Sequence, residues 1–260
     1  MKIDANSVTF EPQDMAFVKK FGILEATEMA LDYHAEHPNL PFLYDAEQLA
    51  GFLGISRGEL NDIVNHIQKE YKEAHLPKKD GTYRSLCVPS IRLRFCQDPI
   101  KEKILPQLPV SKFATAYQKG STTRGNAEPH IGKKFLLKLD ITDFFGSITF
   151  EQVQRAAFNT RYVSRQVGYL LTSLCCKDDS LPQGAATSPA LSNIVMYRFD
   201  DYIGRWCSQR QIAYTRYCDD MTFSANRPLY GVYQKVKTML REMGFELNES
   251  KTHFISNADR

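Results

Sequence analysis

The sequence lacks long apolar runs. Of its 260 residues, 43% are hydrophobic and 24% charged, and no apolar run approaches the roughly 18 residues that a membrane-spanning helix needs. The N-terminal segment, Met1 to Phe10, carries Asp4 and Asn6 instead of the apolar stretch of a secretory signal. We therefore predict an ordinary globular protein with no membrane segment and a cytoplasmic location.

Paired-cysteine motifs are also missing. The six cysteines show no Cys-x-x-Cys spacing and have no companion histidine at zinc-site distances: Cys87, Cys96, Cys175, Cys176, Cys207 and Cys218. We expect reduced thiols and no zinc. Cys175 and Cys176 follow a leucine-rich stretch, which predicts that they pack as small apolar residues near a helix end.

The chain carries little net charge. A formal charge of +3 is weak evidence for a nucleic-acid partner on its own. Local clustering is more informative, because Lys and Arg gather in 78–94 and again in 119–134. Such clusters can follow a phosphate backbone or form solvated basic surfaces, and the sequence leaves both interpretations open.

Helical patterns dominate the N-terminal part. Asp14 to Ala35 predicts one helix, and Asp45 to Gly54 with Ser56 to Glu73 predicts a helical pair in which Ser56 and Glu59 form a capping box. A DNA-reading helix-turn-helix is a weaker interpretation of that pair, since its second helix is acidic. Asp80-Gly81 then predicts the turn of a basic β-hairpin, followed by a helix from Ser90 to Ile104.

Strands and helices alternate in the rest of the chain. Apolar periodicity predicts a sheet with helices on one face, the usual α+β arrangement. Gly244 lies where a helix needs a left-handed cap. The predicted strands are 135–141, 212–217, 221–224, 245–247 and 253–255, and the predicted helices are 150–159, 188–209 and 230–243.

Two adjacent carboxylates, Asp219 and Asp220, occupy the predicted tip of a hairpin. Most Asp-Asp pairs are solvated turns, so this pair alone decides nothing. Asp140, however, ends an apolar strand, where a carboxylate needs a cation, a capping role or exposure. Together the three carboxylates can bind two Mg²⁺ ions, with phosphates supplying further oxygens, which is the arrangement of polymerase chemistry.

A loop of small residues, Leu181 to Asn193, leads directly into a helix. Its backbone permits close approach of a ligand, and Gln183 offers both an amide donor and an acceptor. A plain helix N-cap explains the same residues and is preferred when the loop is considered alone.

In combination these segments resemble reverse transcriptases of the bacterial retron type. Lys138 to Ile148 is similar to the first palm motif of that family, Leu181 to Asn193 to the second, Tyr214 to Ser224 to the Tyr-x-Asp-Asp motif and Gly244 to Thr252 to the fourth. The retron type is indicated by Asn126-Ala127-Glu128-Pro129-His130, which matches an Asn-Ala-x-x-His signature.

Two positions depart from the family pattern. Cys218 stands where most retron enzymes have Ala, and Ala186 stands where Pro is commoner. Both remain small, and neither is a metal ligand. The chain also stops at Arg260, before the thumb that the resemblance would lead us to expect.

The resemblance implies an α+β right-hand polymerase fold. It consists of a palm with a mixed or antiparallel sheet and helices on one face, and fingers made of helices and a β-hairpin, with the thumb absent or truncated. The corresponding division is an N-terminal helical region (1–75), fingers with a retron-like insert (76–134), and a palm (135–260) with finger helices interleaved at about 150–180.

The resemblance also implies the site. Asp140, Asp219 and Asp220 would hold two Mg²⁺ with the carbonyl of Ile141, and Phe145 would exclude a ribose 2′-hydroxyl while Phe144 packs in the core. The remaining assignments are Arg84 and Lys78 on the dNTP triphosphate, Gln183 on its sugar, Lys251 as proton donor to pyrophosphate, and Arg124, Asn126 and His130 as RNA-binding candidates. A solvated Lys251 and a structural His130 are the open alternatives.

The implied function is an RNA-directed DNA polymerase. It would copy a structured noncoding RNA into cDNA, in anti-phage defence, with a possible effector protein as partner. One alternative is a related defence enzyme that makes repetitive, untemplated or protein-primed DNA. A catalytically silent RNA-binding scaffold is the second.

Overall fold

The computed structural model describes residues 1–4, 7–77, 81–159 and 163–256. The α-helices of this part are α1 (Met15–Phe21), α2 (Ile23–Glu36), α3 (Ala46–Leu53), α4 (Arg57–Asn65), α5 (Ile91–Pro99), α6 (Thr123–Ala127), α7 (Phe150–Ala157), α8 (Arg165–Cys175), α9 (Ser188–Ser208) and α10 (Tyr230–Glu242). The strands are β1 (Lys2–Asp4), β2 (Ser7–Thr9), β3 (Tyr71–Pro77), β4 (Tyr83–Pro89), β5 (Phe135–Asp140), β6 (Ala213–Tyr217), β7 (Asp220–Ala225) and β8 (His253–Ser256). None of the described helices combines the length and apolar character needed to cross a membrane.

Two of the helix predictions for the N-terminal part need correction. The helix expected over 14–35 is broken at Gly22, whose φ of 81° is a conformation that glycine adopts readily and that a continuous α-helix does not contain. The helix expected to run to Glu73 ends at Asn65, because the chain from Tyr71 pairs as a strand. The capping box of Ser56 and Glu59 at the start of α4 is confirmed.

The predicted basic hairpin is confirmed as β3 and β4. The strands pair antiparallel from Tyr71 opposite Pro89 to Pro77 opposite Tyr83. The helix predicted after it begins at Ile91 with Ser90 as its N-cap, and it continues to Ile104 as a π-helical turn, Ile100–Ile104. Short 3₁₀ segments complete this list: Pro12–Asp14, Ile67–Glu70, Leu105–Gln107, Glu128–His130 and Glu249–Lys251.

The chain forms two compact units, one made of 1–108 and 149–188, the other of 109–148 and 189–260. In the first unit, helices pack around a core that includes Leu93, Leu171 and Leu174. Cys175 and Cys176 are buried at the end of α8, which confirms their predicted packing role. The division into an N-terminal region, fingers and palm stays a prediction, since the two units are cut at other points.

The second unit is built on a four-stranded sheet in the order β6-β7-β5-β8. Every pair in this order is antiparallel. The strand expected over 245–247 is absent from this described sheet, and Leu247 makes only an isolated bridge to Ile141. Bonds from Arg216 N to the Phe113 carbonyl (2.8 Å) and from Thr115 N to the Arg216 carbonyl (2.7 Å) cover the outer edge of β6.

The register assigns each residue of this sheet to a face, because opposed residues of an antiparallel pair share a face and neighbours along a strand alternate. Tyr214, Phe223, Leu137 and Phe254 lie on one face. That face meets α9 through a hydrogen bond from the Tyr214 hydroxyl to Asp200 (2.7 Å) and meets α10 through ring contacts of Phe254. The prediction of helices on one face of the sheet is confirmed.

A buried ion pair fastens β6 to α9. Arg216 and Asp200 are fully buried, and Arg216 donates to both Asp200 oxygens, from Nη2 at 2.6 Å and from Nε at 2.9 and 3.1 Å. Arg216 also donates to the side-chain oxygen of Asn193 at 3.0 Å and to the carbonyl of Cys218 at 2.8 Å. These bonds satisfy the guanidinium inside the core, which a buried charge requires.

Removing one partner of this pair should therefore be costly. We expect Asp200→Ala to lower the free energy of unfolding by about 3 to 5 kcal/mol, because it leaves a charged guanidinium buried without its counter-ion. Asp201→Ala is a matched control, since Asp201 forms an exposed pair with Arg205 on the same helix, and it should cost less than about 1 kcal/mol. Urea denaturation of the three proteins measures both values, and equal losses would contradict the assignment.

Candidate active site

Three carboxylates meet at one end of the sheet in the second unit. Asp140 is the last residue of β5 and Asp220 the first residue of β7, and the two lie directly opposite each other in the antiparallel register. Their side chains therefore share the face opposite α9 and α10. Asp219 lies at the tip of the β6–β7 hairpin, as predicted from the sequence.

Backbone hydrogen bonds tie three separate chain segments together at this point. Ile141 N donates to the carbonyl of Asp219 at 3.1 Å, and Asn248 N donates to the carbonyl of Asp140 at 2.8 Å. Thr142 N donates to the carbonyl of Glu246 at 2.9 Å. The end of β5, the hairpin tip and the segment before β8 are thus held in fixed relation.

The charges at this end of the sheet are unbalanced. Partial burial and the neighbouring carboxylates of Asp219 and Asp140 raise the pKa of Asp220, while Lys251 and Lys138 oppose this shift. The Nζ of Lys251 lies 2.7 Å from Oδ2 of Asp140, and this hydrogen bond raises the pKa of the lysine. Burial raises the pKa of the Cys218 thiol to about 11, so that it remains neutral at physiological pH.

Among the described residues, no three His, Cys, Asp or Glu side chains are arranged to hold a metal ion. Asp140 instead forms its ion pair with Lys251. The donor chemistry nevertheless fits a hard divalent cation, since carboxylate and carbonyl oxygens are what Mg²⁺ binds. Burial raises the pKa of Asp220 most, and the neighbouring carboxylates of Asp219 and Asp140 add negative charge that a cation would offset.

Phe144 and Phe145 lie in a turn after β5, so strand alternation does not decide which way their side chains point. The core position predicted for Phe144 is observed. Phe144 is 4% exposed, and its ring faces the guanidinium of Arg216. The distance from the ring centre to the Cζ of Arg216 is 5.7 Å. Phe145 is half-buried, and its role stays a prediction.

Arg84 and Gln183 both belong to the first unit. Arg84 is exposed on β4, opposite Leu76. The carbonyl of Gln183 accepts a bond from Cys87 N, also on β4, at 2.7 Å, so the small-residue loop lies against the strand that carries Arg84. Gly184 has a φ of 120°, and a Cβ there would come within 3.0 Å of the Cys87 carbonyl oxygen, which explains the glycine. Lys78 lies outside the described residues.

The Asn-Ala-x-x-His segment contacts the face of the sheet that carries Asp140 and Asp220. His130 is hydrogen-bonded through Nδ1 to Ser224 (2.7 Å) and through Nε2 to Thr215 (2.9 Å). Asn126 accepts a bond from the Thr115 hydroxyl at 2.6 Å. Of the two interpretations of His130, these contacts favour the structural one. Arg124 is exposed on α6.

A cavity of about 240 Å³ lies between this segment and the sheet. Its lining includes Asn126, Lys138, Tyr217 and Asp220. Sequence reasoning missed Lys138 as a neighbour of the carboxylates, although strand alternation places it on the same face as Asp140. It also missed Asn248, whose backbone contact with Asp140 has no sequence signal.

A family profile described as reverse transcriptase (RNA-dependent DNA polymerase) matches residues 76–259. The chain belongs to this family. The predicted enzyme class is confirmed at the level of the family.

Several curated relatives of this protein are retron reverse transcriptases, which confirms the predicted resemblance to the retron type. The retron Ec86 enzyme of Escherichia coli is 28% identical and aligns with 88% of this chain and 72% of its own length. The retron Mx65 enzyme of Myxococcus xanthus is 32% identical and aligns with 82% of this chain and 55% of its own length. The retron Ec83 enzyme of Escherichia coli is 35% identical and aligns with 72% of this chain and 65% of its own length. The chain thus spans between 55% and 72% of the length of these relatives.

One solved structure supports the fold. The telomerase of Candida albicans, determined with a fragment of telomeric RNA, superposes with a TM-score of 0.51 and 11% identity, covering 74% of this chain and 44% of that one. At this identity the likeness concerns the fold alone. This likeness agrees with the α+β polymerase fold predicted for the chain.

The half-buried ring of His130 should make stability depend on pH. Burial, with a smaller effect of Lys133, lowers the pKa of His130 to about 4, whereas an unfolded histidine titrates near 6.5. The unfolded chain therefore binds the extra proton more readily, so the contribution of His130 is complete above about pH 6.5 and lost as the pH falls toward about 4. We expect wild type to lose its stability advantage over His130→Gln across this range in urea denaturation, and a constant difference would contradict the half-buried neutral ring.

Proposed function

We propose that this protein is an RNA-directed DNA polymerase of the retron type, working by two-metal nucleotidyl transfer. The observation that carries the proposal is the register of β5 and β7, which sets Asp140 opposite Asp220 on the face of the sheet away from α9 and α10. The backbone bond between Ile141 and Asp219 adds the third carboxylate to the same end. Membership of the reverse transcriptase family supports the assignment.

Asp140, Asp219 and Asp220, with the carbonyl of Ile141, are the residues that would hold two Mg²⁺. Bound ions would activate the attacking hydroxyl and stabilise the leaving oxygen of an in-line phosphoryl displacement. The protein supplies the anionic site, and the packed ends of β5 and β7 keep its carboxylates in place. The excess negative charge around Asp220 is the property that would draw the cations in.

Lys251 is the residue that we assign as proton donor to the departing pyrophosphate. A lysine is protonated at neutral pH, and the hydrogen bond from Nζ to Asp140 raises its pKa further. The side chain is 59% exposed and can reach a substrate in the solvent beside the carboxylates. An uncharged lysine could not perform this role.

The incoming deoxynucleotide would be bound by the residues that the family resemblance assigns. Arg84, with Lys78, neutralises the triphosphate, for which the guanidinium of arginine is well suited. Gln183 contacts the sugar, and Phe145 excludes a 2′-hydroxyl by filling the space that it would occupy. The exposed position of Arg84 and the half-buried ring of Phe145 are compatible with these roles.

The template would be a structured noncoding RNA, whose cDNA copy stays with the enzyme in anti-phage defence together with an effector protein. Support comes from the curated relatives, which are retron reverse transcriptases. The match of the Asn126 to His130 segment to the retron signature agrees with this type.

Primer extension with Mg²⁺ and dNTPs on RNA and DNA templates tests the polymerase assignment. We expect products complementary to the template, and we expect Asp219→Asn to reduce synthesis to background because one carboxylate of the site is lost. The matched control is Asp201→Asn, which removes an exposed carboxylate paired with Arg205 and should leave synthesis unchanged.

Synthesis that persists in Asp219→Asn would contradict the metal assignment. Products made without any template would favour an untemplated defence enzyme over a retron type. A wild-type protein that extends no primer would contradict the polymerase proposal as a whole.

Phe145→Ala should increase incorporation of ribonucleotides. Removing the ring opens space for the 2′-hydroxyl, so the ratio of kcat/KM for dNTP to that for rNTP should fall, by roughly 10-fold or more if the lost contact is worth at least about 1.4 kcal/mol. Phe145→Tyr keeps the ring and should retain discrimination. Unchanged selectivity in the alanine variant would assign the gate to another residue.

A further inference from the structure

Tyr117 has an unusual backbone conformation beside the carboxylate hairpin. Its φ is 61°, in the left-handed region that a bulky aromatic residue seldom adopts. Strained residues of this kind persist only where surrounding contacts enforce them, and they cluster at functional sites. The contacts that enforce this one can be identified.

The segment before Tyr117 is fastened to α9 and β6 of the same unit at two points. The side chain of Asn193 donates to the carbonyl of Ala116 at 2.8 Å, and both groups are buried. Thr115 N donates to the carbonyl of Arg216 at 2.7 Å. Because Asn193 and Arg216 also bond to each other, the segment is held by the same buried network that fixes β6.

This placement brings the Tyr117 hydroxyl to the hairpin tip. The hydroxyl lies 3.1 Å from the Sγ of Cys218, to which it donates a hydrogen bond. Cys218 is 9% exposed and also has a left-handed backbone, with a φ of 61°. Its carbonyl accepts a bond from Arg216 at 2.8 Å. Residue 218 is therefore held at its side chain and at its carbonyl by two different groups.

Cys218 directly precedes Asp219, and its carbonyl belongs to the peptide group that joins the two residues. Because that peptide group is planar, fixing the Cys218 carbonyl also fixes the N–H of Asp219, whose own carbonyl is held by the Ile141 N–H at 3.1 Å. The thiol of Cys218 also interacts with the side chain and backbone of Asp219. The hydroxyl of Tyr117 adds a hydrogen bond from a distant segment of the chain, which restricts the side chain of residue 218 further.

We propose that Tyr117 is a positioning residue of the polymerase site, which acts through a hydrogen bond to Cys218 to orient the Asp219-Asp220 pair. The thiol at position 218 then has a role of its own as the acceptor of the hydrogen bond from Tyr117, a role that a smaller apolar residue could not fill. The inference rests on the proposed function in one respect, namely that these aspartates carry the chemistry.

Four variants test the contact: Tyr117→Phe, Cys218→Ala, the double variant and Cys218→Ser. The first two remove one partner each, while serine keeps a hydrogen-bonding group at position 218. Tyr230→Phe is the control, since it removes an exposed tyrosine hydroxyl that accepts a bond from Gln234.

The first measurement is amide hydrogen exchange by mass spectrometry, which needs no enzymatic activity. We expect peptides that contain residues 216–220 to exchange faster in Tyr117→Phe and in Cys218→Ala, and at the wild-type rate in Cys218→Ser and Tyr230→Phe. Unchanged exchange in the first two variants would overturn the proposal.

The second measurement is steady-state primer extension at saturating Mg²⁺. We expect each of the first two variants to lower kcat for dNTP by roughly 2- to 12-fold, the value of one hydrogen bond, with KM little changed. The double variant should lose no more than the worse single variant, and Cys218→Ser should recover most of the rate.

The outcomes separate this inference from the proposed function. Faster exchange with an unchanged kcat would overturn the positioning role, and multiplicative losses in the double variant would overturn the pairing of the two residues. If wild type shows no synthesis, the proposed function fails, while hydrogen exchange still decides whether Tyr117 orders the hairpin tip.

Discussion

The buried contact of Arg216 with Asp200 is the interaction on which the second unit depends. It joins the edge strand β6 to α9, and the same guanidinium reaches Asn193 and the Cys218 carbonyl. Such a pair is expensive to desolvate, and replacement by apolar residues of similar volume is often neutral for stability. An apolar pair could not bond a carbonyl at the hairpin tip, whereas Arg216 holds the carbonyl of Cys218 there.

Much of this arrangement could be predicted from the sequence, because local patterns decide it. The β6–β7 hairpin, the long α9 and the capping box at Ser56 all follow from turn chemistry and apolar periodicity. The position of Asp140 at the end of an apolar strand predicted a functional or capping role, because a carboxylate there needs a cation, a hydrogen-bonding partner or solvent. The family motifs then grouped it with Asp219 and Asp220.

The remainder depends on contacts between distant residues. Gly22 looked like one more residue of a helix, yet the chain turns there. The segment Tyr71 to Glu73 is polar enough to extend a helix, and pairing with β4 overrides that tendency. The partner of Arg216 and the neighbour of Cys218 carry no local signal, since both contacts join residues that the fold alone brings together.

The antiparallel register of β5 and β7 has a consequence for how this site can change over time. Side chains alternate along a strand, so deleting or inserting one residue in either strand would turn one of Asp140 and Asp220 toward the helices. Substitutions around the carboxylates can accumulate one at a time. A change of one residue in the length of either strand, by contrast, moves a carboxylate to the other face of the sheet in a single step. Tolerated insertions should therefore be confined to the connecting segments, where no such parity has to be kept.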